Sequence, residues 1–129
     1  AAASLLGTHD FQSMHQHNAW HSSQGIAALV QAIRTAPIEP GMPVPPVLVA
    51  APPPIGTPRG PIAPKFEGGD QKCEGLAAAY EEVCREVGCE FFNSASALTG
   101  SSKVDGVHLD AEQHIALGRV IAKRVTTLI

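Results

Sequence analysis

The chain has 129 residues, of which 44% are hydrophobic and 16% are charged, and its formal net charge is -3 at pH 7. This length suits one domain, and the hydrophobic content excludes an intrinsically disordered chain. The mildly acidic balance, without blocks of Lys and Arg, argues against nucleic-acid binding, and no apolar run reaches the roughly 20 residues that span a bilayer. We therefore predict a soluble single domain over residues 1–129, without a nucleic-acid or membrane partner and without a cofactor.

Three short apolar segments are predicted to be strands. Residues 4–6 form the end of a strand that stops at Gly7, and Val47–Ala51 is a continuous apolar run closed by prolines, as in a strand buried on both faces. Residues 90–93 form a third short strand. Between the second and third strands, residues 52–69 hold six prolines and four glycines, a composition that predicts a long loop.

Helical periodicity follows each strand. The first predicted helix has an i, i+3, i+4, i+7 stripe, begins at Ser22 or Ser23 and ends at Pro37. The second covers residues 70–87, and the third begins at Asp110 with Gln113 as its capping-box partner. The predicted inward residues of the three helices are, in order, Ile26, Leu29, Val30 and Ile33; Cys73, Leu76, Tyr80, Val83, Cys84 and Val87; Ile115, Gly118, Ile121, Ala122, Val125 and Leu128. The resulting β-α-β-α-β-α order predicts right-handed crossovers and a parallel sheet.

Cys73, Cys84 and Cys89 are an odd number of cysteines, and no Cys-X-X-Cys pair occurs. On one helix, Cys73 and Cys84 would lie about 16 Å apart along the axis, beyond the roughly 7 Å that a disulfide allows between Cα atoms. We therefore predict buried, reduced thiols that pack in the core, and a cytoplasmic location.

The segment before the last helix carries the strongest chemical signal. In open parallel sheets, ligands bind at the carboxyl ends of the strands, where this segment is expected. Asp105 precedes His108 by three residues in a loop that contains Gly106. The Asp105 carboxylate is therefore expected to hold His108 Nδ1 and leave Nε2 as a general base. The alternative is a structural Asx turn followed by a surface histidine.

A second group of histidines allows a different interpretation. His17 and His21 stand four residues apart, so on a helix both would reach one metal ion, with His15 or His9 as the third ligand. No Glu accompanies them as in a His-Glu-X-X-His metal site. We favour a polar loop at the rim of a pocket, without a metal, in which Phe11, Met14 and Trp20 line the pocket.

Several motifs occur in an order that resembles the GDSL/SGNH hydrolase family, in its small arylesterase and acyltransferase branch. The matching segments, which extend from residue 4 to 129, are Gly7-Thr8-His9-Asp10, Ala51-Pro52-Pro53-Pro54, Phe66-Glu67-Gly68-Gly69, Phe91-Phe92 and Asp105-Gly106-Val107-His108-Leu109. The resemblance implies an α/β, three-layer αβα, flavodoxin-like fold. It also implies that Asp105 and His108 are triad members, that Gly7, His9 and Asp10 form the oxyanion block, and that Pro53 and Val107 line the substrate pocket.

The chain departs from the family pattern in two ways. No Gly-Asp-Ser motif surrounds any serine, so we expect a C-terminal portion of the hydrolase domain that lacks its N-terminal strand or strands and the nucleophile. His9 stands where the family has an oxyanion-hole Asn. Either the imidazole N–H replaces the Asn side chain as the hydrogen-bond donor, or the oxyanion hole is impaired at this position. The expected partners are an ester substrate and either further copies of the chain or an N-terminal fragment that carries the nucleophile.

The resemblance implies a serine esterase or acyltransferase that acts on small acetyl and aryl esters. Two other function classes stay open. The missing nucleophile and His9 favour a non-catalytic remnant or pseudoenzyme that binds a partner, and the histidine group allows a metal-binding module. An upstream segment bearing Gly-Asp-Ser would distinguish the esterase from the remnant.

Overall fold

A computed structural model describes residues 1–129 and contains a three-stranded parallel sheet. The strands are β1 (Ala2–Ser4), β2 (Val47–Ala51) and β3 (Glu90–Asn93), and they lie in the order β1-β2-β3. In the register, Ala3 pairs with Leu48, and Ala50 pairs with Phe92. The predicted parallel α/β sheet is confirmed, although β1 ends at Ser4 rather than extending to residue 6.

Strand β2 supplies side chains to both faces of the sheet, because successive residues of a strand point to opposite sides. Val47, Val49 and Ala51 pack in one core with α1 (Ala19–Thr35) and α3 (Leu76–Val87). Leu48 and Ala50 pack in a second core with α4 (Ala111–Leu128). All five residues are buried, and the layers are helix, sheet and helix, as the predicted αβα fold requires.

Helix α1 begins earlier than the sequence pattern indicates. Its N-cap is Asn18, whose side chain accepts a hydrogen bond from the His21 N–H, while the His21 ring accepts one from the Asn18 N–H. Ser22 and Ser23, predicted as caps, lie inside the helix and are buried. The prediction was wrong because a histidine can replace Glu or Gln in the reciprocal capping arrangement.

The predicted helix over residues 70–87 consists of two helices. The short α2 (Gly69–Lys72) is followed by its C-cap Cys73, and α3 begins after Gly75, which has φ 79°. The residues predicted to face inward from Cys73 to Cys84 are buried, so the break changes the backbone and not the core. The preceding proline-rich segment, predicted to be a loop, contains the 3-10 helix Gly60–Phe66.

Helix α4 begins as predicted, with a capping box between Asp110 and Gln113. Its packed face is rotated from the predicted one, because Leu117 is the buried residue, whereas Ile115 is 56% exposed and Gly118 and Ala122 are also exposed. None of the helices combines the length and the apolar character that crossing a membrane would require.

Candidate active site

A cavity of about 300 Å³ lies where the segments that follow β1 and β2 meet the segment before α4. Parallel strands end at one edge of a sheet, so the residues after β1 and β2 lie together there. The lining residues are Leu5, Leu6, Gly7, Thr8, His9, Pro52, Pro53, Val107, His108, Leu109 and His114. Five residues predicted from separate parts of the sequence, namely Gly7, His9, Pro53, Val107 and His108, therefore meet at one cavity.

Asp105 and His108 are joined by a side-chain hydrogen bond of 2.5 Å between Asp105 Oδ2 and His108 Nδ1. A carboxylate only accepts hydrogen bonds, so Nδ1 carries the proton and Nε2 of the neutral ring is free to accept one. The His108 side chain is 57% exposed and lines the cavity. This is the arrangement of a general base and the group that orients it.

The Asp105 carboxylate is oriented by its own loop. Its Oδ1 accepts hydrogen bonds from the backbone N–H of Val107 at 2.8 Å and of His108 at 2.9 Å. Partial burial acts to raise the pKa of Asp105, but the hydrogen bond with the His108 ring and the two backbone N–H groups outweigh it, so its pKa lies below the ordinary value. The carboxylate is therefore held ionised beside the imidazole.

Close backbone contact fixes the turn between Asp105 and His108. Gly106 has φ 77°, and a Cβ on it would lie 2.2 Å from the Thr57 carbonyl oxygen. The Gly106 carbonyl accepts hydrogen bonds from the Gly56 N–H and the Ser101 hydroxyl, and the Asp105 carbonyl accepts one from the Arg59 N–H. Only glycine fits this position, and the proline-rich segment thereby supports the turn that carries the base.

Ser102 connects this turn to helix α4. Its hydroxyl donates to the capping carboxylate of Asp110 at 2.5 Å and accepts from the Val104 N–H, while its N–H donates to the His108 carbonyl. The Gly106 N–H in turn donates to the Ser102 carbonyl. One buried residue thus joins the helix cap to Gly106 and His108 of the turn.

Buried hydroxyl groups support the segment that follows β1. We name this segment, which consists of Gly7, Thr8, His9 and Asp10, the 7–10 block. Tyr80 donates a hydrogen bond to the Leu6 carbonyl at 3.0 Å and lies 2.7 Å from Ser22 Oγ, which donates to Asp10 Oδ2 at 2.7 Å. Burial raises the pKa of Tyr80 to about 12, so the phenol stays neutral. Gly7 is required here, since a Cβ on it would lie 2.2 Å from the Tyr80 hydroxyl.

The structure places three predicted pocket residues outside the cavity. Phe11 is fully buried in the core beneath the 7–10 block, because it packs against the α1 and α3 layer. Met14 and Trp20 are 75% and 62% exposed, because the segment after the 7–10 block runs away from the cavity toward the start of α1. Their place is taken by apolar residues that directly follow β1 and β2: Leu5, Leu6 and Pro52.

His114 lines the cavity although it was not among the predicted site residues. It lies in the first turn of α4, and its N–H donates to the carbonyl of the N-cap residue Asp110. The available signal was its spacing of six residues from His108, across a helix start predicted at Asp110. The chain's eight serines are absent from the cavity lining, and Thr8 supplies its one hydroxyl side chain.

The remaining histidines pack against one another. The rings of His15 and His17 are stacked with centroids 5.2 Å apart, and those of His17 and His21 lie 5.7 Å apart. His21 Nδ1 is engaged in the N-cap of α1. No group of three or more His, Cys, Asp or Glu residues has an arrangement suited to a metal ion. These rings lie at the surface beside the N-terminus of α1.

The chain is similar to solved structures of esterases. It matches Est24, a carbohydrate acetylesterase from Sinorhizobium meliloti, with 32% identity over 98% of this chain and 60% of that one, at a TM-score of 0.89. It matches the native aryl esterase of M. smegmatis with 29% identity over 98% of this chain and 60% of that one, at a TM-score of 0.90. No family model and no curated protein sequence matches it.

Both matched structures are esterases, as the resemblance found in the sequence implies. The chain spans about 60% of the length of the structures it matches. The matched part includes the parallel sheet and the helices on both of its faces, because 98% of this chain is covered. The resemblance to the GDSL/SGNH hydrolases is therefore confirmed, and the chain has the αβα fold of SGNH-type acetylesterases and aryl esterases over part of their length.

Proposed function

We propose that the chain carries the general-base part of a serine esterase site that acts on small acyl esters. The observation that supports this most directly is the 2.5 Å hydrogen bond between Asp105 and His108 at the mouth of an apolar cavity. Acetylesterase and aryl esterase neighbours with the same fold favour an ester as the substrate. The cavity, at about 300 Å³, is of a size for a small acyl or aryl group.

In this proposal His108 Nε2 takes the proton of a serine hydroxyl as that oxygen attacks the ester carbonyl. It later returns the proton to the leaving alcohol, and Asp105 stabilises the imidazolium that forms between the two steps. Because no serine lines the cavity, the nucleophile belongs to a segment outside these 129 residues. That segment would complete one hydrolase domain with residues 1–129, and water or an acceptor alcohol would release the acyl group.

The 7–10 block would bind the developing negative charge. Gly7 and His9 line the cavity, so a backbone N–H or the His9 ring would be the donor to the oxyanion. Asp10 is engaged with Ser22 Oγ, which keeps its carboxylate away from this role. We propose that Asp10 positions the block and does not contact the substrate.

The experiment compares the chain alone with the chain fused to an N-terminal segment bearing an SGNH-type Gly-Asp-Ser nucleophile. Hydrolysis of p-nitrophenyl acetate is measured for both, and for fused variants His108→Gln and Asp105→Asn. We expect turnover from the fused protein only, and a loss in kcat of at least about 1,000-fold in each variant. His17→Gln is the matched control, since this exposed histidine is outside the cavity, and its rate should stay within twofold.

Three results would contradict the proposal. If the folded fused protein does not hydrolyse the ester, the function is binding rather than catalysis, and if His108→Gln retains the full rate, His108 is not the general base. If the chain alone turns over the ester at the rate of the fused protein, a hydroxyl within these residues is the nucleophile, and Thr8→Ala would identify it.

A further inference from the structure

The turn that joins α3 to β3 brings two cysteines together. Gly88 has a left-handed conformation, with φ 68° and ψ 54°, and its N–H and that of Cys89 both donate to the Cys84 carbonyl. The bond from Cys89 is the six-to-one hydrogen bond of a Schellman motif. That motif characteristically brings the side chains at its two ends into contact. In this chain both ends are cysteines.

The surroundings of the pair differ for the two thiols. Cys84 is 1% exposed, whereas Cys89 is half-buried, and both line a cavity of about 420 Å³ together with Arg34 and Arg85. Burial above all, together with a hydrogen bond to the adjacent Cys89 thiol and the charge on that thiol, raises the pKa of Cys84 to about 12. Cys89 is therefore the accessible thiol, and reactive cysteines typically occupy partly exposed sites with cations nearby.

The turn is also held in place from the neighbouring helix. The Arg34 side chain, on α1, donates to the carbonyls of Val87 and Gly88. A disulfide forms without backbone movement only where the two Cα atoms are already close. The backbone bond of 2.9 Å from Cys89 to Cys84 and the arginine clamp hold the two residues in such a position.

We propose that Cys84 and Cys89 form an intramolecular disulfide when the chain meets a peroxide. The Cys89 thiol releases its proton and the thiolate attacks one peroxide oxygen. The O–O bond breaks, and the departing hydroxide takes up that proton, so that a sulfenic acid and one water are produced. The Cys84 sulfur then attacks the Cys89 sulfur and displaces the hydroxyl as a second water. Two thiols and one hydrogen peroxide thus give one disulfide and two waters, with two electrons passing from sulfur to oxygen.

The test uses the Cys73→Ser variant, which removes the third thiol and leaves the pair intact. The protein is treated with hydrogen peroxide and its mass is measured. Trypsin cleaves after Lys72, Arg85 and Lys103, and thus separates Cys84 from Cys89. We expect a mass lower by two hydrogen atoms, no thiol that reacts with Ellman's reagent, and a reducible link between peptides 73–85 and 86–103.

Matched variants assign the reaction to this pair. After the same treatment Cys89→Ser should keep its buried Cys84 thiol, whereas Cys84→Ala should carry a sulfenic acid or its further oxidation products at Cys89. Neither variant should show the loss of two hydrogen atoms. The oxidised protein should show a Tm higher by roughly 5 °C, because the link restricts the unfolded chain, and dithiothreitol should reverse this shift. The linked peptides from the treated protein decide the matter even if Cys84→Ala does not fold.

Oxidation that stops at a sulfinic or sulfonic acid of Cys89 would overturn the proposal. So would links found only between two copies of the chain. The proposal is independent of the esterase function, because none of its residues lines the cavity that contains His108.

Discussion

The 7–10 block and the 99–110 loop line the same cavity, yet different interactions hold them. The 7–10 block rests on buried hydroxyl groups that come from two helices, Ser22 of α1 and Tyr80 of α3. The 99–110 loop is held by its own backbone, by Ser102 and by hydrogen bonds from Gly56 and Arg59 of the proline-rich segment, and its acid and base are partly exposed. A site can therefore combine one part that depends on the core with another part that is held by a neighbouring loop.

The largest effect is expected from Gly7→Ala in the 7–10 block. A Cβ would lie 2.2 Å from the Tyr80 hydroxyl at a backbone φ of 132°, so we expect a loss of roughly 2 to 5 kcal/mol in the free energy of unfolding. Urea denaturation measures the loss. Gly25→Ala is the control, because no atom lies near its Cβ and alanine favours the helix by up to about 1 kcal/mol. Equal stabilities of the two variants would show that Tyr80 does not restrict the block.

Tyr80→Phe should have the next largest effect. It keeps the ring and removes the hydroxyl that serves the Leu6 carbonyl and Ser22, at a cost of about 1 to 3 kcal/mol. A double-mutant cycle with Ser22→Ala should give a coupling energy of at least about 0.5 kcal/mol. If the losses in the free energy of unfolding are additive, the two hydroxyl groups do not interact, and this result would contradict the proposed support of Asp10.

An alkaline titration tests the burial of the Tyr80 hydroxyl directly, because Tyr80 is the single tyrosine in the chain. Burial raises its pKa to about 12 from the ordinary value of 10.0. The folded state thus favours the neutral phenol, and this contribution to stability is complete below pH 10 and is lost as the pH rises toward 12. Absorbance at 295 nm should show that Tyr80 ionises with a midpoint near pH 12. If the chain is still folded at pH 10 and the midpoint lies there, the phenol is not buried.

The smallest effect on stability is expected in the 99–110 loop. His108→Gln should change the free energy of unfolding by no more than about 0.5 kcal/mol, because the side chain is largely exposed. It should nevertheless raise the pKa of Asp105, since the ring hydrogen bond is the strongest influence that lowers it. Carboxyl carbon NMR measures this pKa, which should lie below 3.8 in the parent chain.

The sign of the acid effect follows from that direction. Because the pKa of Asp105 is lower in the folded chain, its contribution to stability is present above the unfolded pKa and is lost as the pH falls through the folded one. In His108→Gln this acid loss should be smaller and should end at a higher pH, because the folded pKa then lies closer to the unfolded one. An Asp105 pKa that is the same in both proteins would indicate that the ring and the carboxylate do not interact in solution.

Patterns within single segments predicted much of the fold. A continuous apolar run identified Val47–Ala51, and the Asp110 and Gln113 pair identified the start of α4, because both signals depend on neighbours in the sequence. The break at Gly75 and the rotated face of α4 were not predicted. They depend on which residues another layer covers, as the exposed Ile115 shows.

The site shows the same division. The hydrogen bond between Asp105 and His108 was predictable because three residues and a glycine turn determine it. The positions of Phe11, Met14 and Trp20 were not, because the direction of the segment after the 7–10 block is set by the α1 cap and the underlying core. His114 was missed for the same reason, since its place depends on how α4 meets the sheet edge.

Ser102 links the start of a long helix to the turn that carries His108, and this has a consequence for local opening. If the first turn of α4 frays, Asp110 releases the Ser102 hydroxyl, and the bonds of Ser102 to the Gly106 N–H and the His108 carbonyl lose their anchor. The helix end and the turn should therefore exchange their amide hydrogens as one cooperative unit, with a shared opening free energy. Any ligand that orders the turn would then slow exchange in the helix, and a variant that lengthens the lifetime of the helix end would keep the base in place for a larger fraction of the time.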